Sequence, residues 1–311
     1  MINLLCFIFL GTFGWGGSLF LIKILLVSLS PDEIVLYRMA IGALSLFLLA
    51  KLLKIKVNNP RALLFDGVVV GAFNMTIPCY LITHAELFVT SSLGSVINGL
   101  TPAMTFVIGV AFFRSGEKVS FINIISLLLG FVGILVVNSD VMLTQGAMWG
   151  VFALVGACIA YGVNANYFKY YARTKEPILV AAMASLVSAL IMLVVGISSH
   201  SSLHWNLPTT TGQLMAILWL GIIGTGLSLF VYCLLIKRVG AVFASMITYL
   251  MTVTGIVMGV LFLHESISFT QMLGSLLIIG SLVLYNHAIH IQNVLLSWFG
   301  LVIPRSFWRA G

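Results

Sequence analysis

Charge is what this chain has least of. Eight Asp and Glu and fifteen Lys and Arg make up only 7% of its 311 residues. A soluble domain carries roughly 25% charged residues, so this supply cannot build a water-facing surface, and the soluble enzyme classes are excluded. Cysteine is scarce too. Cys6, Cys79, Cys158 and Cys233 all fall in apolar runs, without the paired spacing of a metal or redox site, and read as small buried hydrophobes. Catalytic signatures are missing as well: there is no HExxH, no GxSxG, no GxxxxGK[ST] phosphate loop and no pair of aspartates within an apolar run. These absences argue against a metallohydrolase, an acyl-transfer enzyme and a nucleotide-driven pump. The histidines at 84, 200, 204, 264, 287 and 290 are spread over different segments. No catalytic residue, metal site or cofactor is expected.

What the chain does have is apolar length, with 61% hydrophobic residues. A spanning helix needs about 20 of them, and runs of that kind fall at 2–27, 33–53, 62–86, 90–113, 120–138, 146–170, 177–197, 212–236, 240–263 and 268–289. Turn and charge signals separate them, such as Ser30-Pro31-Asp32-Glu33 and Asn58-Asn59-Pro60-Arg61. The break between the third and fourth spans is marked only by Glu86 and Thr90-Ser91-Ser92. The first run has no basic start and no small-residue cleavage site, so it reads as a retained helix. The fold class is therefore an all-α membrane protein of about ten transmembrane helices. With the N-terminus inside, the cytoplasmic side holds Lys51, Lys54, Lys56, Arg61, Arg114, Lys118, Lys169, Arg173, Lys175, Lys237, Arg238, Arg305 and Arg309. The opposite loops hold no Lys or Arg. The positive-inside rule then places both termini in the cytoplasm of a cell whose inner (plasma) membrane the chain crosses. That bias accounts for the net charge of +7, and no nucleic-acid partner is needed. The tail 291–311, with Trp298, Trp308 and two arginines, reads as a cytoplasmic, interfacial anchor.

The fourth span carries a polar stripe: Ser91, Ser95, Asn98, Pro102 and Thr105 recur at steps of three and four and share one helix face. The stripe returns at an offset of 150 residues as Ala241, Ser245, Thr248, Thr252 and Gly255. The same offset pairs Gly71 with Gly221, Val89 with Val239, Leu100 with Leu250, Gly109 with Gly259 and Phe112 with Phe262. An offset of 146 pairs Gly16 with Gly162, Lys23 with Lys169 and Pro31 with Pro177, and sets Trp15 against Tyr161 and Ser18 against Asn164. The chain thus divides into five-helix repeats at 1–140 and 146–290. Five is odd, so the second repeat must sit upside down relative to the first. Inverted repeats are typical of secondary transporters, with the site at the repeat interface near mid-membrane.

With these residues in view, the sequence resembles the EamA-type members of the drug/metabolite transporter superfamily. The resemblance rests on Trp15-Gly16-Gly17-Ser18 in the first span and Arg38 early in the second. It continues through Leu100-Thr101-Pro102 to Glu117, and through Tyr249-Leu250-Met251-Thr252-Val253 to Glu265. It covers nearly all of residues 1–290, and departs from the family pattern where Thr252 stands in place of a proline. The resemblance implies a ten-helix inner-membrane carrier of small metabolites.

Charge inside a bilayer is costly, so each case is a functional candidate. Arg38 has an alanine, Ala184, as its repeat mate, so symmetry does not require it. It either grips a carboxylate or phosphate, or snorkels outward or clamps Asp32, Glu33 or Glu86. Lys23 and Lys169 occupy matching helix ends, where snorkelling explains both. His84 and Glu86 read as interfacial residues, with proton relay the alternative. Glu117 and Glu265 follow their helices at matching places and read as structural. The expected substrate pathway is lined by Trp15, Ser18, Arg38, Asn74, Tyr80, Ser95, Asn98, Tyr161, Asn164, Ser245, Thr248 and Thr252. An aromatic wall with a few amides and hydroxyls suits a small, partly apolar solute. Helix packing is the rival explanation for each small or hydroxyl residue. Asn166 lies off the Asn164 face and is left out. Gly71, Asn74 and Pro78 in the third span, and Gly221, Gly224 and Gly226 in the eighth, mark expected weak points where the helices can bend.

The function that follows is a secondary transporter, exporting a small organic metabolite such as an amino acid by alternating access. A membrane-embedded enzyme or a structural membrane protein is the alternative. The partners are a small-molecule solute and the lipid bilayer; the sequence leaves the oligomeric state open, a monomer included.

Overall fold

A computed structural model describes residues 2–113, 121–137, 147–172, 175–199 and 206–248, and from there 250–251, 254, 260–262, 267–270, 272–277, 279–281 and 283–284. Thr252, Glu117, Glu265, the tail 291–311 and every histidine but His84 lie outside the described residues, as do Gly255 and Gly259. Ser95 belongs to a described helix, but its side chain does not.

The described chain is helical throughout. The first half comprises α1 (Ile2–Phe9), α2 (Ser18–Leu25), α3 (Pro31–Leu52), α4 (Pro60–Val70), α5 (Ile77–Ala85), α6 (Ser91–Asn98), α7 (Thr101–Phe112) and α8 (Phe121–Val137). The second comprises α9 (Ala147–Tyr167), α10 (Pro177–Ser199), α11 (Thr211–Gly221), α12 (Ser228–Val239) and α13 (Ala241–Ser245). Five continuous helical runs are long and apolar enough to cross a bilayer: Pro31–Leu52, Pro60–Ala85, Met148–Ala172, Pro177–Ser198 and Thr211–Val239. The expected first and fourth spans are present but divided.

Local chemistry sets where these helices begin. Ser30 accepts a hydrogen bond from the Glu33 amide while Glu33 accepts one from the Ser30 amide, with Pro31 in the first turn. Thr210 and Gln213 repeat this reciprocal cap on α11, and Asn59 caps α4 ahead of Pro60. Pro102 lacks an amide hydrogen and sits at the start of α7, so the fourth span breaks between Asn98 and Thr101. This break divides the polar stripe. Asn98 and Thr101 stay on an inner face, whereas the Thr105 carbonyl is turned onto α9, where it accepts a 2.8 Å hydrogen bond from Asn166 Nδ2.

Two wide π-helical turns fall at Gly71–Thr76, between α4 and α5, and at Ile222–Leu227, between α11 and α12. They occupy nearly the same place in the two repeats, at the glycine clusters expected to be weak points. A π turn inserts one residue into the helical ladder and leaves backbone groups in search of partners. Ser228 Oγ supplies one, donating to the Ile223 carbonyl at 2.7 Å. Further π turns, at Leu10–Gly14 and Phe168–Ala172, do not correspond to one another.

The halves interlock reciprocally. Helix α3 packs on α10, its repeat mate; α3 also packs on α11 and the π turn after it, while α10 packs on α4 and the π turn after that. Such an isologous arrangement is a two-fold relation. The detail agrees. A Cβ on Gly71 would lie 2.8 Å from the Ala184 carbonyl, and one on Gly221 would meet Ile41 at 2.5 Å and the Arg38 carbonyl at 3.4 Å. Ser188 Oγ donates to the Gly71 carbonyl at 2.9 Å. Its mate by the 146 offset is Gly42, whose own Cβ would lie 3.1 Å from the Gly221 carbonyl.

The outward surface is apolar: Phe13, Leu44, Leu48, Phe65, Phe112, Val194 and Met215 are all more than half exposed, as lipid contact requires. Asn166, set aside in the sequence, is a packing residue. Its amide also reaches the Gly162 carbonyl at 2.9 Å, and its Oδ1 fills the space beside Gly109. Asn166→Leu is expected to lower stability by about 1–2 kcal/mol, read as an earlier thermal unfolding midpoint in detergent with no change in which solutes bind.

Candidate functional site

Two adjoining cavities lie between the repeats. The first is lined by Trp15, Ser18, Ile22, Arg38, Asn74, Met75, Cys79, Ile82, Asn98, Tyr161 and Met251. The second is lined by Trp15, Asn98, Thr101, Tyr161, Tyr232, Ser245, Ile247, Thr248 and Met251. Trp15, Asn98, Tyr161 and Met251 belong to both and form the neck between them. Asn74 sits about 21 Å along a helical run of about 39 Å, and Tyr161 about 20 Å along one of about 38 Å, at 1.5 Å per residue. The cavities therefore lie near mid-helix.

Part of the lining consists of repeat mates. Trp15 stands with Tyr161, Asn98 with Thr248, Thr101 with Met251, and Ile82 with Tyr232. Ile82, Thr101, Tyr232 and Met251 were all missed as wall residues in the sequence, although the 150-residue offset makes them two pairs of mates. Trp15 meets Tyr232 edge-on with ring centroids 5.0 Å apart, so the aromatic wall joins the first and eighth spans. The other unanticipated wall residues, Ile22, Met75, Cys79 and Ile247, carry no polarity that would distinguish them from packing residues.

Of the residues expected along the pathway, Trp15, Ser18, Arg38, Asn74, Asn98, Tyr161, Ser245 and Thr248 line one cavity or both. Tyr80 does not: its ring lies over His84 at 4.0 Å, because Cys79 and Ile82 occupy the inward face of α5. Asn164 is fully buried outside the cavity wall, with neither amide atom hydrogen-bonded. Its mate Ser18 follows the Leu10–Gly14 π turn, which rotates the helix beyond it. Helix α9 has no such turn before Phe168, so the two mates leave at different angles.

Arg38 is 5% exposed, and its Nε donates to Thr225 Oγ1 at 2.9 Å. The snorkel and clamp readings both fail. Glu33 accepts from the Ser30 amide at 2.7 Å and the Asn206 amide at 2.6 Å. Asp32 lies 3.8 Å from His84 Nε2, and Glu86 lies 3.7 Å from Lys23 Nζ. Among the described residues no carboxylate is within ion-pair distance of Arg38. At the symmetry-related place stand Ala184 and Met75, which can form no such bond as Arg38 makes with Thr225.

Lys23 also departs from its expected role. It turns inward to donate to the backbone carbonyls of Glu86 and Val89, the latter at 2.9 Å, tying the end of α2 to the last turn beyond α5. Glu86 is fully buried within the protein. Its distant partner makes burial tolerable, which no local pattern reveals. Lys169 instead lies over the Tyr170 ring, 5.1 Å from its centroid. Asp66, not singled out in the sequence, is 4% exposed and accepts a 2.8 Å hydrogen bond from Tyr167.

An all-helical bundle with apolar flanks, a two-fold relation between its halves and a mid-helix cavity lined from both is the architecture of a membrane carrier. The chain belongs to the EamA-like transporter family, whose profile matches residues 3–139 and again 148–286. It is similar to the uncharacterized transporter YoaV of Bacillus subtilis strain 168, at 26% identity over 272 residues covering 85% of this chain and 90% of the relative. An uncharacterized transporter of Clostridium kluyveri is 24% identical over 276 residues, covering 83% and 85%. A protein known from its crystal structure superposes with a TM-score of 0.68 at 16% identity, over 91% of this chain and 95% of that one, and so shares the fold. The protein is a multi-pass membrane transporter.

Proposed function

We propose that this transporter is a secondary carrier that exports a small organic metabolite, such as an amino acid, across the inner (plasma) membrane by alternating access. The repeats 1–140 and 146–290 act as the two moving units, both termini face the cytoplasm, and the tail 291–311 rests at the interface. The observation that carries this reading is a cavity lined in part by repeat mates at mid-helix, flanked by π turns at nearly matching places in the third and eighth spans. A site held between two near-equivalent halves can be exposed to one side or the other by exchanging their conformations. The π turns supply bending points already present in the helices. The positive charge of the chain serves orientation in the bilayer, and neither nucleic acid nor covalent chemistry enters the proposal.

Purified protein in liposomes tests it. Radiolabelled solutes from a broad metabolite panel should cross the membrane with time only when protein is present; an entirely static panel sinks the reading. Arg38→Ala should reduce transport by at least about tenfold at normal abundance, a change of about 1.4 kcal/mol or more. Full transport by that variant would remove Arg38 from the site.

A further inference from the structure

The lining of the first cavity is unequal in a way its two-fold does not require. Arg38 and Asn74 have Ala184 and Gly224 as repeat mates, so the strongest polarity of this wall comes from the first repeat and has no counterpart in the second. The Asn74 side chain is 1% exposed, and neither its Nδ2 nor its Oδ1 has a hydrogen-bond partner. Buried amides are normally paired. An unpaired one beside a buried guanidinium is set to meet something that enters.

Arg38 is the only charged residue among the described residues that line either cavity. Its Nε is fixed by Thr225, which orients the guanidinium and leaves its terminal nitrogens without a carboxylate. The acids nearby in sequence or space are engaged with Ser30 and Asn206, His84 and Lys23. A guanidinium held in this way matches a carboxylate with two parallel N–H bonds. Beyond the uncharged polar residues Ser18 and Asn98, the rest of the wall is aromatic, sulfur-bearing or aliphatic, with Trp15, Tyr161, Met75 and Met251 its largest members, which favours an apolar body.

We infer that the cavity binds a small monocarboxylate through Arg38 and Asn74, with an apolar body against Trp15 and Tyr161, and has no counter-charge for an ammonium group. This deepens the carrier proposal and rests on that cavity being its site. The consequence is specific. A carboxylic acid lacking the amine should bind at least as well as the matching amino acid, and the amine lacking the carboxylate should not bind.

Two matched sets of probes test this on purified protein by heat stabilisation, since a ligand that binds only the folded state raises the unfolding temperature. One set is L-leucine, 4-methylpentanoate and 3-methylbutylamine; the other is L-phenylalanine, 3-phenylpropanoate and 2-phenylethylamine. In at least one set, the acid should match or exceed its amino acid, and the amine should be at least about tenfold weaker. Arg38→Gln should weaken acid binding at least about tenfold, Asn74→Leu should weaken it less, and Arg38→Lys should fall between Arg38→Gln and wild type. An amine that binds as tightly as its acid, Arg38→Gln binding the acids like wild type, or no acid binding in either set overturns the inference. Liposome uptake of the same acids separates the two readings. Acids bound through Arg38 but never moved overturn the carrier and leave the anion site standing. Acids moved equally well by Arg38→Gln overturn the anion site and leave the carrier.

Discussion

Valine at Gly71 or at Gly221 is expected to abolish recovery of folded, monodisperse protein. A Cβ at Gly71 would lie 2.8 Å from the Ala184 backbone carbonyl. That atom belongs to α10 and cannot rotate away as a side chain can. At Gly221 the added atom would lie 2.5 Å from Ile41, on the packed side of α3. Relief in either case requires separating the helices that join the two repeats. Overpacking typically costs about 1–3 kcal/mol; a branched side chain pressed against backbone belongs at or above the top of that range, a large share of a stability of about 5–15 kcal/mol. Because the two glycines are repeat mates making mirrored contacts, both variants should fail alike. Gly280→Val is the control, since a Cβ there has nothing within 4 Å. Size-exclusion profiles and thermal midpoints check this, and a normal profile for either interface variant would falsify the proposed close approach.

Lys23→Met should also be strongly destabilising, at about 3 kcal/mol. Lys23 is the ion-pair partner of fully buried Glu86 at 3.7 Å and also donates to the carbonyls of Glu86 and Val89. Losing it leaves the negative charge of Glu86 without this cation in a dry setting, where removing one partner costs far more than the pair contributes. Lys23→Met combined with Glu86→Gln should therefore recover most of the loss. A coupling of about 1–3 kcal/mol in the double-mutant cycle is expected, whereas additive losses would mean that Lys23 acts through its backbone carbonyl bonds and its stem, not through the ion pair. Since α2 also carries the helix face that contributes Ile22 to the cavity, transport should fall along with stability in Lys23→Met and return in the pair.

Some of the site was legible before any coordinates. Trp15 with Tyr161, and Asn98 with Thr248, are repeat mates that meet in the cavity. An internal duplication places equivalent residues in equivalent surroundings, so an offset in the sequence becomes a relation in space. Arg38 stood out because its mate is alanine. Tyr80 was misplaced because counting by 3.6 residues per turn assumes an unbroken helix, while the π turn at Gly71–Thr76 changes the phase. Asn164 was misplaced because its mate Ser18 follows a π turn that the corresponding part of α9 lacks. Lys23 and Asp66 show a second limit. Each is satisfied by a group far away in the chain, the end of the third span for Lys23 and Tyr167 for Asp66.

Composition and repetition alone determined that this is a helical membrane protein with two halves, because so few charged residues cannot clothe a soluble surface and a shared offset records shared structure. Only the tertiary structure decided which polar groups face a cavity, which lock helices together and which acids are already taken. Those outcomes depend on helix phase and on contacts between residues distant in the chain, which no local pattern encodes. The pairing of Glu33 with the Asn206 amide, Asp32 with His84 and Glu86 with Lys23 is what leaves Arg38 without an acid, and that can be read only when these groups are placed together in space with the cavity that Arg38 lines.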